Sequence, residues 1–158
     1  MRLPLPDDET SPELAAEYAA AREREGRVMA ILRAMGPRPE VVRAFLALAD
    51  AALYGPAALS RREREVLALA TSEANGAEYS ATVHAELLGE PAQGERDEAL
   101  TAFARRLTLA PQEAAAAVAD LREHLSDAEV YDAIAVVGLL NFANRAALAT
   151  GITRDDDL

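Results

Sequence analysis

Residues 60–84 read SRREREVLALATSEANGAEYSATVH, and they carry two helices with a sharp turn between them. Ser60 and Glu63 have the spacing of a capping box, in which side chain and backbone at a helix start satisfy each other's free hydrogen-bonding groups. Val66, Leu67, Leu69 and Ala70 then give a broad apolar face as far as Ala74. Asn75-Gly76 breaks the helix. A second helix is predicted from about Ala77 to just before Gly89. On it Ala77, Ser80 and His84 stand at i, i+3 and i+7, on one face. Glu65, on the first helix, lies twelve positions before Ala77. The spacing is thus E-x11-A-x2-S-x3-H.

The same reading extends outward. Pro4, Pro6 and an acidic run make residues 1–9 an extended arm. Thr10 and Glu13 fit a capping box, with Pro12 in the first turn of a helix that runs to about Glu25 and stops near Gly26. A second helical piece is expected from Arg27 to Met35 and a third from Pro39 to Gly55-Pro56. Beyond a linker at 89–94, helices are expected over about 95–108, 111–124 and 127–150, the last capped by Ser126 and Glu129. Its middle, IAVVGLLNFA, is apolar nearly all round, as in a helix buried in a bundle or between subunits. Gly151 ends it, and residues 153–158 read as a frayed tail. The expected fold is an all-α, single-domain helical bundle over residues 10–152.

Composition agrees. The chain has 158 residues, 51% hydrophobic but only 4% aromatic, so alanine and leucine must build the core and favour helix. Its formal charge is -11 and all 16 basic residues are Arg, a field that repels nucleic acid and anionic membranes. There is no cysteine, which excludes disulfides, thiolate metal sites and thiol chemistry by this chain alone. Two widely separated histidines offer no metal-ligand spacing, and no cofactor-binding loop is present, so neither metal nor cofactor is expected. The most apolar run, Ala133–Leu140, is too short to span a bilayer, and the N-terminus lacks a signal-peptide run. A cytoplasmic protein without a membrane or nucleic-acid partner is expected.

With cysteines at 77 and 80, the spacing would become E-x11-C-x2-C-x3-H. The chain resembles the alkyl hydroperoxidase D-like family, grouped with the carboxymuconolactone decarboxylases. The resemblance also rests on LPLPDDETSPELAAEY, GRVMAILRAMGPRPEVVRAFLAL, the LSRRERE opening at 59–65 and the late VGLLNFANRAALATGI, and so covers almost the whole chain. It implies an all-helical fold around the helix pair, assembled as a homotrimer or homohexamer. It also implies two chemistries: cysteine-based reduction of hydroperoxides, and decarboxylation of a lactone, which needs no cysteine. Glu65 and His84 match family functional positions, while Ala77 and Ser80 occupy the two cysteine positions. Tyr79 stands where some dithiol members have a second His. The string AEYSATVH also resembles the decarboxylase branch, although that branch has an acidic residue and Trp where Ser80 and Ala81 stand.

Three functions follow. One is a cofactor-independent acid/base enzyme on a small lactone- or carboxylate-like molecule, with His84 as the catalytic base or acid and Glu65 tuning it. Tyr79, Asn141 and Asn144 are its pocket candidates, and Tyr79 and Ser80 its hydrogen-bonding groups. The second is a non-catalytic binding or assembly module. The third is a dithiol peroxidase variant with both cysteines replaced. Each residue also has a structural reading: His84 as a hydrogen-bonded core residue, Glu65 as the partner of Arg61 or Arg62, Ser80 bonded back to its own helix, and Asn141, Asn144 and Arg145 as groups that satisfy buried polar partners or bridge subunits.

Overall fold

The computed structural model describes residues 3–6 and 11–157, and among these the chain is all helical, with no strand. A 3-10 turn, Pro12–Leu14, leads into α1 (Ala15–Glu25). Then come α2 (Ala30–Met35), α3 (Pro39–Ala49), α4 (Arg61–Ala74), α5 (Glu78–Leu88), α6 (Gly94–Leu109), α7 (Ala114–Leu121) and α8 (Asp127–Thr150). Thr10, and with it the expected first capping box, lies outside the described residues. The boxes at Ser60/Glu63 and Ser126/Glu129 are both formed. Gly76, at φ 64, makes the turn that folds α5 back onto α4.

Three expectations are corrected. The second helix begins at Ala30 and not Arg27, because Met29 is extended at ψ 141. The third helix ends at Ala49 and continues as a π-helical turn, Asp50–Tyr54. The Gly55 N–H donates to the Asp50 carbonyl at 2.6 Å, and a Cβ on Gly55 would meet that oxygen at 2.9 Å. The buried Arg64 side chain donates to the Gly55 carbonyl at 2.9 Å and holds the turn from below.

The tail is the third correction. Residues 154–156 form a 3-10 turn opened by a Thr153/Asp156 capping box. Asp157 Oδ1 accepts from the Ala30 N–H and from the Tyr79 hydroxyl, each at 2.8 Å. Arg154 pairs with its other oxygen. The carboxylate thus caps α2 and leaves almost no side-chain surface exposed.

The core has two apolar clusters. One joins α4, α6, α7 and α8 through Leu67, Leu100, Phe103, Leu121, Val136 and Leu140. The other joins α1, α2 and α5 through Leu14, Tyr18, Ile31, Leu32 and Val83. Phe45 packs against both. By length and hydropathy α8 as a whole would span a bilayer, which the eight-residue run did not reveal, yet half of its most apolar window is buried inside the bundle. Its Ala133, Val136 and Val137 are fully buried, as in a core helix.

One arginine ties three helices. Arg96 on α6 pairs with both capping-box carboxylates, Glu63 of α4 and Glu129 of α8, and donates to the His124 carbonyl at 3.1 Å. The Ser126 backbone N–H and hydroxyl, then Arg96, hold the Glu129 carboxyl down from 4.5 to about 2. A depressed carboxyl stabilises the fold fully above its unfolded value, and that contribution is lost as pH falls through the folded one. Arg96→Met is therefore expected to cost about 1–2 kcal/mol at pH 7, discounted for exposure, in urea unfolding. The gap to wild type should narrow as pH falls from 5 towards 2; a gap independent of pH would refute the assignment. Asp157→Ala should cost about 1–3 kcal/mol, because it orphans two donors. A frayed tail would give under about 0.5 kcal/mol in the same titration.

Candidate functional site

α4 and α5 run back from the Gly76 turn with Glu65 and His84 on their facing sides. Glu65 is 2% exposed and His84 7%. His84 Nδ1 lies 2.7 Å from Glu65 Oε2. Arg61, one turn earlier on α4, donates through Nε to Glu65 Oε1 at 2.8 Å. Burial pushes the Glu65 carboxyl up, but the hydrogen bond and charge of His84, with Arg61, outweigh it and hold the group below its ordinary value. An ionised carboxylate only accepts, so Nδ1 carries the hydrogen of this contact, and in the neutral tautomer Nε2 is the acceptor.

Arg61 also lies over the Tyr54 ring, 4.4 Å from its centroid, and Arg24 approaches the same ring at 5.0 Å. The π-helical turn delivers Tyr54 to this place. Burial raises the Tyr54 hydroxyl above its ordinary value and keeps it neutral.

His84 sits on the wall of a pocket of about 650 Å³, mouth included, at the seam of the two apolar clusters. Ile31, Leu32, Phe45, Leu53, Leu139 and Leu140 make most of its wall, and exposed Arg24 and Leu87 stand at its rim. Its polar side chains, besides His84, are Ser80, Tyr79, Tyr54 and Arg24.

The expected residues separate here. Glu65 and His84 meet, and Tyr79 and Ser80 line the pocket with His84. The Tyr79 hydroxyl donates to Asp157, and burial together with that carboxylate pushes it well above the usual phenol range, so it stays a protonated donor. The Ser80 hydroxyl makes no hydrogen bond among the described residues, neither back to its helix nor to His84, so no nucleophilic Ser–His pair is formed. Ala77 is the buried N-cap of α5 and lies off the pocket wall.

Asn141 and Asn144 do not line the pocket. The α8 residues that do are Leu139, Leu140 and Ala143. Asn141 accepts from Asn75 at 3.1 Å and donates to Thr108 at 3.1 Å, while Asn144 accepts from Ser72 at 3.3 Å. Asn141 thus serves the C-cap of α4 and a threonine of α6, and Asn144 a serine of α4, the structural alternative, although the buried Asn144 Nδ2 has no partner among the described residues. Arg61 is the partner of Glu65, and Arg62 turns away to Asp97. Sequence reasoning missed Tyr54, Arg24 and Phe45. The one signal for Tyr54 was an aromatic residue just before Gly55-Pro56 in a chain with few aromatics.

No potential metal cluster of His, Asp and Glu occurs among the described residues.

Comparison with known proteins places this geometry. The structure is similar to that of a peroxidase-related protein from Ralstonia eutropha JMP134, described as an alkylhydroperoxidase AhpD core. The TM-score is 0.86 at 24% identity, over 98% of this chain and 93% of that one. A peroxidase-related protein from Silicibacter sp. TM1040 is similar with a TM-score of 0.83 at 26% identity, over 96% and 90% of the two chains. The debrominase Bmp8, in a cysteine-to-alanine variant holding 2,3,4-tribromopyrrole, shares the fold with a TM-score of 0.80 at 17% identity, over 96% and 91%. No curated protein sequence matches. The profile of the carboxymuconolactone decarboxylase family matches residues 39–121, more than half of the chain and including Glu65, Ala77, Ser80 and His84. The chain therefore belongs to the carboxymuconolactone decarboxylase family, which includes the alkyl hydroperoxidase D-like proteins, and it does so without a cysteine.

Proposed function

We propose that this protein is a cofactor-independent acid/base enzyme acting on a small, lactone- or carboxylate-like organic molecule. The observation that carries the reading is the buried His84–Glu65 hydrogen bond at the wall of an open, mostly apolar pocket. A purely structural histidine needs neither a carboxylate behind it nor a cavity in front. The tribromopyrrole held by the debrominase of the same fold supports a small ring as occupant.

In the proposed reaction Nε2 of His84 removes a proton from the substrate. The imidazolium that forms keeps its Nδ1–H on Glu65, whose negative charge stabilises it. The proton returns from Nε2 to the product, so no net charge accumulates. The Ser80 hydroxyl donates to the substrate oxygen that gains negative charge. Apolar walls exclude water and strengthen both interactions. Arg61 balances the Glu65 charge from the other side, which keeps the carboxylate ionised inside the bundle.

His84→Gln should lower kcat/KM on any substrate found by about 10²–10⁴-fold, while the Gln amide can still donate to Glu65 and should limit the loss of stability in urea unfolding to about 1–3 kcal/mol. Glu65→Gln keeps the shape and removes the counter-charge, so it should cost about 10²-fold or more. Activity that survives His84→Gln would sink the reading. A ring titration of His84 by NMR, with lactones, carboxylates and phenols in turn, provides an independent check. The His84 signal should shift with one ligand class; a signal that ignores every class would leave His84 as a core residue.

A further inference from the structure

Tyr54 brings a second hydroxyl to the pocket that has no task inside the chain. It lines the pocket with Ser80 and His84, and like Ser80 it makes no side-chain hydrogen bond among the described residues. Tyr79, the other tyrosine of the wall, donates to Asp157. A phenylalanine at position 54 would pack and stack equally well, so packing accounts for the ring and not for the hydroxyl. A polar group drawn partly out of water without a partner costs stability.

The backbone is shaped around this residue. Tyr54 ends the π-helical turn Asp50–Tyr54. Such a turn carries an extra residue, re-aims the side chains that follow, and is found mostly at functional sites. Buried Arg64 holds it through the Gly55 carbonyl. Arg61 and Arg24 fix the ring from its faces, and Arg61 also bonds Glu65, the partner of His84. One guanidinium thus sets the phenol relative to the carboxylate that orients the imidazole. Arg24 and Arg61 are each already paired with a carboxylate, Glu25 and Glu65. The neutral donors left for a ligand beside His84 are the hydroxyls of Tyr54 and Ser80.

We propose that Tyr54 is a catalytic residue: its hydroxyl, together with that of Ser80, donates to a substrate oxygen that becomes negative, and the substrate is a small cyclic carbonyl compound with an acidic C–H. The proposal rests on the acid/base reading of His84. A base that faces two neutral donors, with no activated nucleophile beside it, suits proton removal next to a carbonyl. Nε2 of His84 takes the proton from that carbon. The C–H electron pair becomes the new C=C bond, and the carbonyl pair moves onto oxygen as an enolate. Both hydroxyls keep their protons and donate to this oxygen; burial, ahead of the nearby charges, keeps the Tyr54 phenol neutral. The proton then returns from Nε2 to a carbon of the enolate, so nothing is gained or lost.

4-Nitrophenolate carries a charged oxygen on a small ring, as the enolate does, and nitrobenzene is the same ring without that oxygen. At a pH where the phenol is ionised in water, the protein should bind the phenolate at least about tenfold more tightly than nitrobenzene in equilibrium dialysis. Tyr54→Phe keeps the ring and both arginines. It should weaken phenolate binding about 10–100-fold and nitrobenzene binding by less than about twofold. On any substrate turned over through His84, Tyr54→Phe should lower kcat about 10²-fold or more with KM little changed. The two failures are distinct: loss of the base shows in turnover by His84→Gln, and loss of the donor role shows in phenolate binding, which needs no turnover. No preference for the phenolate, unchanged phenolate affinity in Tyr54→Phe, or equal loss of both ligands in that variant would overturn the proposal.

Discussion

A carboxylate buried to the extent of Glu65 is costly unless charge and hydrogen bonds compensate it, and the centre of this fold is organised by that requirement. His84 and Arg61 supply the compensation from opposite sides. To deliver His84, α5 must fold back on α4 in one register, which the Gly76 turn provides. To deliver Arg61, its side chain must lie along the bundle, where its flat face covers Tyr54 and its Nη1 donates to the Leu53 carbonyl at 3.2 Å. The π-helical turn that carries Leu53 and Tyr54 is in turn held by Gly55 and Arg64. One buried charge thereby connects helix register, loop shape and the orientation of the imidazole.

The pocket arises from how an alanine-rich chain packs. Small side chains let α4 and α8 come close, and they leave the larger residues of α2, α3 and α5 to form a separate apolar cluster. The two clusters meet only partly, and the gap between them is the cavity on which His84 opens. The family pattern here keeps the Glu65–His84 contact and lacks both thiols: one cysteine position is a methyl at the helix cap, the other a hydroxyl on the pocket wall. Thiol chemistry by this chain's own residues is therefore excluded, while the buried imidazole–carboxylate contact is present.

Much of the molecule was legible because its causes are local. Helix ends follow from capping residues within three positions of each other, as at Ser60/Glu63 and Ser126/Glu129, and from glycines such as Gly76 and Gly151. The spacing of Glu65 and His84, read with the family resemblance, marked the pair that the fold brings together. Periodicity placed Ser80 and His84 on one face of α5, whereas Ala77, expected with them, is the N-cap and lies off the pocket wall.

What the chain alone did not reveal depends on which faces meet. Periodicity assigns Asn141 and Asn144 to an apolar helix but cannot say that α4 and α6 claim them while Leu139, Leu140 and Ala143 face the pocket. A tail rich in Asp reads as solvated until Tyr79 and the start of α2 are found beside Asp157. Arg96 looks like one surface arginine among many until two helix caps converge on it. In each case the deciding partner lies dozens of residues or more away along the chain. Local sequence sets the shape and polarity of each helix, and only the packing of helices against one another decides which polar group is buried, and against what.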